Sequence, residues 1–136
     1  MSGQRRVVLD ASALLAWVLN ERGTQTVDRL LAVGVAPASV MVEVLYRAAE
    51  KGHRLPPDQL YASLLEMGVE VEAITAADVV RAAEVIAASR LGPDRGSLSL
   101  GHGLCIAVAE RLHLTVTGGD QYWANVDMAV QFFPFR

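Results

Sequence analysis

The sequence contains one cysteine, one lysine and no membrane-length apolar run that is free of charge. The single cysteine, Cys105, excludes a disulfide within the chain, and its apolar neighbours predict a buried, unreactive thiol. The single lysine, Lys51, lies in the first half of the chain. Phosphoacceptor receiver domains and haloacid-dehalogenase-type phosphatases also place an aspartate at a strand end, but both need a lysine late in the chain. The sequence therefore excludes both classes.

Other catalytic signatures are missing as well. No Gly-x-Gly-x-x-Gly follows the first predicted strand, and no Gly-x-Ser-x-Gly occurs anywhere, which argues against a dinucleotide site and a nucleophile elbow. The three histidines and the cysteine lack zinc-site spacing. A long apolar signal region is also missing, because Asp10 interrupts the first apolar stretch. We therefore expect a cytoplasmic protein.

The composition predicts one globular domain that spans residues 1–136. Hydrophobic residues make up 52% of the chain and charged residues 20%, which is enough for a real core and too apolar for disorder. The net charge of −3 gives no overall attraction to nucleic acid. An acidic metal site would contribute to that charge, so a phosphodiester substrate stays possible.

Apolar strands and helical segments alternate along the chain. This order predicts an α/β protein, a three-layer α/β/α sandwich with a central, mainly parallel sheet. The predicted strands cover residues 6–10, 35–36, 69–74, 114–117 and 130–133. The predicted helices cover residues 11–19, 24–31, 39–51, 57–67, 76–89, 99–111 and 121–126.

Two aspartates follow predicted strands directly. Asp10 ends the first strand and precedes a helix, and Asp120 follows the strand at 114–117 through two glycines. Either residue could simply cap the next helix. The carboxyl ends of parallel strands are also where open α/β sheets bind ligands, so both could belong to one site. Ser12 lies within reach of the same crevice as Asp10.

A third acid, Glu43, lies in an apolar helix segment. Its simplest interpretation is an ion pair with Arg47 one turn later. A buried carboxylate without a partner is costly, so a position inside a functional site is the alternative. If Asp10, Glu43 and Asp120 converge, their oxygen atoms would suit Mg²⁺ or Mn²⁺.

Four segments in order resemble the motifs of the PIN domain, and most closely the small VapC-type ribonuclease toxins of bacterial toxin–antitoxin pairs. The resemblance covers almost the whole chain. The matching segments are residues 8–16, 39–45, 97–109 and 120–124. It implies a PIN-like fold, a metal-dependent endoribonuclease with Asp10, Glu43 and Asp120 as its carboxylates, a homodimer, and a small antitoxin partner.

The third motif differs from the family pattern. The family carries an aspartate where this chain has His102, and it often has threonine and arginine where this chain has Gly118 and Gln121. A neutral imidazole can still bind a divalent ion, with preference shifted towards Mn²⁺ or Zn²⁺. His102 could instead be a surface residue of a site that has lost its chemistry.

Two hypotheses follow from the sequence. The first is a metal-dependent ribonuclease, a toxin, in which Asp10, Glu43, Asp120 and His102 are both the catalytic residues and the ligands of Mg²⁺ or Mn²⁺, with Ser12 in support. The second is a non-catalytic PIN-like module that binds RNA or a protein. For an RNA backbone, the candidate binding residues are Arg47, Lys51 and Arg95.

Overall fold

A computed structural model describes residues 5–91 and 98–136 of the chain. Its core is one five-stranded sheet with strand order β3-β2-β1-β4-β5, and every neighbouring pair is parallel. This confirms the predicted α/β sandwich with a parallel sheet. The strands are β1 (Val7–Leu9), β2 (Gly34–Pro37), β3 (Glu70–Glu72), β4 (Val116–Gly118) and β5 (Phe132–Pro134).

Six α-helices connect and cover these strands in the described ranges. They are α1 (Ala11–Val18), α2 (Thr24–Leu30), α3 (Ala38–Glu50), α4 (Pro57–Glu66), α5 (Ala76–Ser89) and α6 (Leu100–Leu112). Two short 3₁₀ helices, Leu31–Val33 and Gln121–Asn125, follow α2 and β4. No described helix has the length and apolar character needed to cross a bilayer.

The central strand β1 explains the position of the site. All of its residues are buried, and it pairs with β2 on one side and β4 on the other. Because β1 and β4 are parallel neighbours, the residues that follow them meet at the same edge of the sheet. Gly118, the last residue of β4, lies next to Asp10, and Gly119 N donates a hydrogen bond to Ser12 Oγ.

The predicted elements are present with shifted ends. The predicted strand at residues 69–74 shortens to β3, and the predicted helix at residues 121–126 is a 3₁₀ helix. Pro134 was expected just beyond the last strand but lies within β5. A proline is compatible with β5 because this strand is at the edge of the sheet, where one side of the backbone makes no ladder hydrogen bonds.

A partly buried ion network joins α5 and α6. Thr75 and Asp78 form a reciprocal capping box at the start of α5. The Arg111 guanidinium donates to Asp78 Oδ1 at 3.0 Å and to Glu72 Oε2 at 2.9 Å. Burial favours a higher pKa for Asp78, but the hydrogen bonds from Arg111 and Thr75 outweigh it and hold the pKa below 3.8. The network is structural and lies away from the crevice described below.

Candidate active site

Asp10 is a buried carboxylate at the carboxyl end of β1. Its side chain is 3% exposed, and Asp10 is also the N-cap residue of α1. Ser12 donates from Oγ to Asp10 Oδ2 at 3.2 Å, and the same Oγ accepts from Gly119 N at 3.0 Å. Burial raises the pKa of Asp10, while the neighbouring imidazole and the hydrogen bonds oppose this rise. Both predicted roles of Asp10, cap and site residue, are therefore compatible with its position.

His102 faces Asp10 from the first turn of α6. Ser99 caps this helix and accepts a hydrogen bond from His102 N at 3.1 Å. The imidazole Nε2 lies 3.5 Å from Asp10 Oδ2. The ring also makes an edge-to-face contact with buried Trp123, with 4.9 Å between ring centroids. The cap therefore places the backbone of His102, and the contact with Trp123 packs its ring beside the carboxylate.

Glu43 borders the same region from α3. Its Oε2 pairs with Arg47 Nε at 3.1 Å, which is the simple ion pair considered from the sequence. Its Oε1 faces α6, because a Cβ placed on Gly101 would lie 3.0 Å from that atom. Burial raises the pKa of the Cys105 thiol well above 9.0, and Asp10 and Glu43 both lie close enough to raise it further. Glu43 therefore forms the ion pair with Arg47 and also lies at the edge of the candidate site.

Asp120 has the helix-capping geometry. It is exposed, and its Oδ1 accepts a hydrogen bond from Tyr122 N at 2.9 Å at the start of the 3₁₀ helix. Gln121, which occupies the position where the resembled family often has arginine, donates from Nε2 to the backbone oxygen of Arg136 at 3.0 Å. Gly118 lies against Asp10, since a Cβ there would be 3.6 Å from Asp10 Oδ2.

The residues around Asp10 open onto a crevice of about 410 Å³. Three site candidates line it, Ser12, Glu43 and His102, and so do two of the predicted RNA-binding residues, Arg47 and Lys51. The third, Arg95, lies outside the described residues. Sequence reasoning missed the other charged lining residues, which are Glu21, Glu50 and Arg136. None of these stands in a motif, and no local signal points to them.

The arrangement fits a metal ion only with few protein ligands. Within residues 5–91 and 98–136, no three histidine, cysteine, aspartate or glutamate side chains are placed to hold one ion. The expected convergence of Asp10, Glu43 and Asp120 is therefore not seen there, because Glu43 pairs with Arg47 and Asp120 caps its helix. The neighbouring oxygen and nitrogen of Asp10 and His102 fit a hydrated ion that keeps most of its waters.

Comparisons with known proteins establish the family and the fold of the chain. The PIN domain family matches residues 7–128, and the chain belongs to this family. Its fold is also that of solved toxin–antitoxin proteins. A DNA-bound VapBC from Salmonella typhimurium is 12% identical, with a TM-score of 0.71 over 98% of this chain and 100% of that chain. The sarcin-ricin-loop-cleaving toxin VapC20 from Mycobacterium tuberculosis is 18% identical, with a TM-score of 0.70 over 90% of this chain and 96% of that chain.

A third solved structure extends the same likeness. VapBC2 from Rickettsia felis, bound to a DNA fragment from its promoter, is 11% identical, with a TM-score of 0.69 over 94% of this chain and 97% of that chain. No curated protein matches the sequence. At these identities the likeness establishes a shared fold, and the activity has to be argued from the residues of this chain.

Proposed function

We propose that this PIN-domain protein is an endoribonuclease and the toxin of a toxin–antitoxin pair. The observation that carries the proposal is the buried Asp10 carboxylate, 3.5 Å from the His102 imidazole, beside a crevice with cationic side chains. Burying a carboxylate costs free energy, and the carboxyl edge of a parallel sheet is where open α/β folds bind their ligands. The cations of the crevice suit a polyanionic substrate.

The site residues would have distinct roles. Asp10 and His102 would hold a divalent ion, Mg²⁺ or Mn²⁺, and the imidazole shifts the preference towards Mn²⁺. Bound there, the ion would supply an activated water for attack on a phosphodiester. Glu43 and Asp120 would add negative charge at the rim, which favours the cation. Ser12 would orient Asp10 through the hydrogen bond from its Oγ.

RNA would be held by the cations of the crevice. Arg47 and Lys51 both line it, and Arg95 is the third residue proposed from the sequence. Glu43 offsets the charge of Arg47 through their ion pair. Of Arg47 and Lys51, Lys51 would therefore attract a phosphate more strongly. Phosphate contacts of this kind supply most of the sequence-independent affinity for nucleic acid.

The proposed partners follow from the family. A small cognate antitoxin protein would bind the toxin, and the toxin would form a homodimer in the cytoplasm. Support comes from solved structures of the same fold that are toxin–antitoxin complexes, including VapBC from Salmonella typhimurium. Copurification with the product of an adjacent short open reading frame would test the antitoxin, and the mass in solution would test the dimer.

A second candidate function is a non-catalytic module that binds RNA or a protein. Two observations favour it: His102 replaces the acid of the resembled motif, and Arg47 neutralises Glu43. Such a module would use the same crevice but would leave RNA intact.

One experiment separates the two functions. The purified protein and its Asp10→Asn variant are incubated with RNA, with Mg²⁺, Mn²⁺ or a chelator present. Endonuclease function predicts cleavage by the unmodified protein that needs metal, is stronger with Mn²⁺, and is lost in the variant. RNA binding without cleavage under every condition would instead establish the non-catalytic module.

A further inference from the structure

Arg136 is a cation of the crevice that no sequence motif accounts for. It lines the same cavity as Ser12, Glu43 and His102. In the described part of the chain it has no carboxylate partner. Its contacts are a long hydrogen bond from Nη1 to the Arg22 oxygen at 3.5 Å and a cation–π contact over the ring of Phe135 at 5.0 Å.

The segment that carries this guanidinium is firmly placed. Phe135 is buried, with 4% of its surface exposed, and Phe135 N donates to the Gly118 oxygen at 3.3 Å. The backbone oxygen of Arg136 accepts from Gln121 Nε2 at 3.0 Å. Gly23 lies against the Phe135 ring, since a Cβ placed on it would be 2.6 Å from that ring. The main chain of Phe135 and Arg136 is thus held by two hydrogen bonds and by the packing of the Phe135 ring.

The guanidinium itself lies on a second glycine. A Cβ placed on Gly119 would be 2.8 Å from Arg136 Nε and 3.0 Å from Nη2, so only glycine leaves room for this position. Gly119 N donates to Ser12 Oγ, and Ser12 in turn donates to Asp10. The guanidinium therefore lies against Gly119, and two hydrogen bonds connect Gly119 through Ser12 to the buried carboxylate.

We infer that Arg136 is a phosphate-binding residue for the RNA strand in this crevice, an inference that rests on the proposed function. A guanidinium binds a phosphate through two parallel hydrogen bonds, and its planar set of donors loses less entropy per hydrogen bond than a lysine ammonium does. Arg47 is already paired with Glu43, whereas the Arg136 guanidinium forms no ion pair with a carboxylate of residues 5–91 and 98–136. It would hold a phosphodiester beside Asp10 and so acts as a positioning residue.

The test measures binding of a short single-stranded RNA by fluorescence anisotropy in the presence of a chelator, so that no metal or cleavage contributes. Arg136→Gln should weaken binding by about tenfold, the effect of losing one charged hydrogen-bonding group. It should also lower the slope of log K against log salt by about 0.7, the value for one phosphate contact with a single strand. Arg136→Lys should keep the slope and lose part of the affinity.

A matched control and a second variant separate binding from folding. Arg29→Gln removes one exposed arginine from a different surface pocket, beside Trp17 and Asp28, and should leave affinity and slope unchanged. Gly119→Ala leaves Arg136 in the chain but pushes its flexible guanidinium out of place. Gly119→Ala alone should weaken RNA binding. When Gly119→Ala is added to Arg136→Gln, RNA binding should not weaken further.

The possible outcomes are distinct. If the unmodified protein binds RNA and Arg136→Gln binds it equally well with the same salt slope, the inference is overturned while the ribonuclease proposal stands. Equal losses from Arg136→Gln and Arg29→Gln would also overturn it, because the effect would then be one of overall charge. If the unmodified protein neither binds nor cleaves RNA, the proposed function fails first.

Discussion

The imidazole of His102 lies 3.5 Å from the carboxylate of Asp10, on the side where α6 begins. The contact joins the first motif of the chain to the third, across 92 positions of sequence. The resemblance to the PIN motifs predicts an acid at position 102, where this chain has a histidine. If the proposed function holds, the carboxylate–imidazole pair should affect metal affinity and activity, and the substitutions below test this.

Restoring the acid should strengthen Mg²⁺ binding. In the variant His102→Asp, two carboxylates face each other, and an oxygen ligand replaces a nitrogen ligand. Mg²⁺ prefers oxygen ligands. We expect Mg²⁺ to raise the melting temperature of the variant more than that of the unmodified protein, because a ligand stabilises the folded state that binds it. Mg²⁺-dependent RNA cleavage should rise in parallel, and the gain should be smaller with Mn²⁺.

His113→Asp is the control for this prediction. It makes the same change of residue type at the end of α6, where His113 has a positive φ that aspartate tolerates. Its response to Mg²⁺ should match that of the unmodified protein. Equal Mg²⁺ affinity and equal cleavage in His102→Asp would mean that position 102 is not in the site.

Neutralising Asp10 should stabilise the protein and abolish cleavage. Burial raises the pKa of Asp10 above 3.8, so the unfolded chain loses this proton more easily than the folded one. The contribution of Asp10 to stability therefore falls as pH rises from 3.8 through the folded pKa. We expect Asp10→Asn to raise the free energy of unfolding at pH 7 by roughly 1–3 kcal/mol, measured by urea unfolding.

The gain from Asp10→Asn should disappear when the pH is lowered below 3.8, since both proteins then carry a neutral side chain. Asparagine is also a good N-cap, so α1 keeps its start. Glu21→Gln, an exposed change in the same crevice, should alter stability by less than about 0.5 kcal/mol. A variant Asp10→Asn that is less stable at pH 7 would contradict the argument.

Removing Arg111 should destabilise the fold without touching the crevice. Arg111→Met leaves Asp78, which is 2% exposed, without its partly exposed cationic partner, and the loss of these charged hydrogen bonds should cost roughly 1.5–3 kcal/mol. Because the pKa of Asp78 is held below 3.8, its stabilising effect is present above that pH and is lost as pH falls through the folded pKa. The difference between the two proteins should therefore narrow in acid.

The exposed ion pair of Arg6 and Glu70 is the control for that experiment. Their side chains are 45% and 61% exposed, so Arg6→Met should cost less than about 1 kcal/mol. A loss in Arg111→Met no larger than this, or a difference between Arg111→Met and the unmodified protein that does not depend on pH, would show that the network around Asp78 does not stabilise the fold.

The two roles of Asp120 can be separated by two substitutions. Asp120→Ala removes the acceptor for Tyr122 N and should cost about 1 kcal/mol of stability. Asp120→Asn keeps the cap but removes the charge. If Asp120 contributes its charge to the site as proposed, Asp120→Asn should retain stability and lose RNA cleavage with Mg²⁺. Full cleavage activity in Asp120→Asn would leave Asp120 as a helix cap alone.

The sequence alone predicted the sheet and the helices because their signals are local. Apolar runs such as 6–10 predict buried strands, and Thr75 predicts the start of α5, since a cap forms between residues close together in the chain. Parallel pairing followed from the helices between the strands. The position of Asp10 at the carboxyl ends of the strands was predictable for the same reason, because the prediction requires only the end of β1 to be located in the sequence.

Only the tertiary structure decided what each charge contacts. Glu43 keeps its local partner Arg47 and still borders the crevice, and this double role depends on how close α6 packs to α3 at Gly101. Arg136 enters the crevice because Phe135 is buried and Gly119 leaves room, and neither condition is visible in the residues next to it in sequence. Local pattern fixes secondary structure, whereas a site is made of contacts between residues far apart in the chain, and these depend on packing.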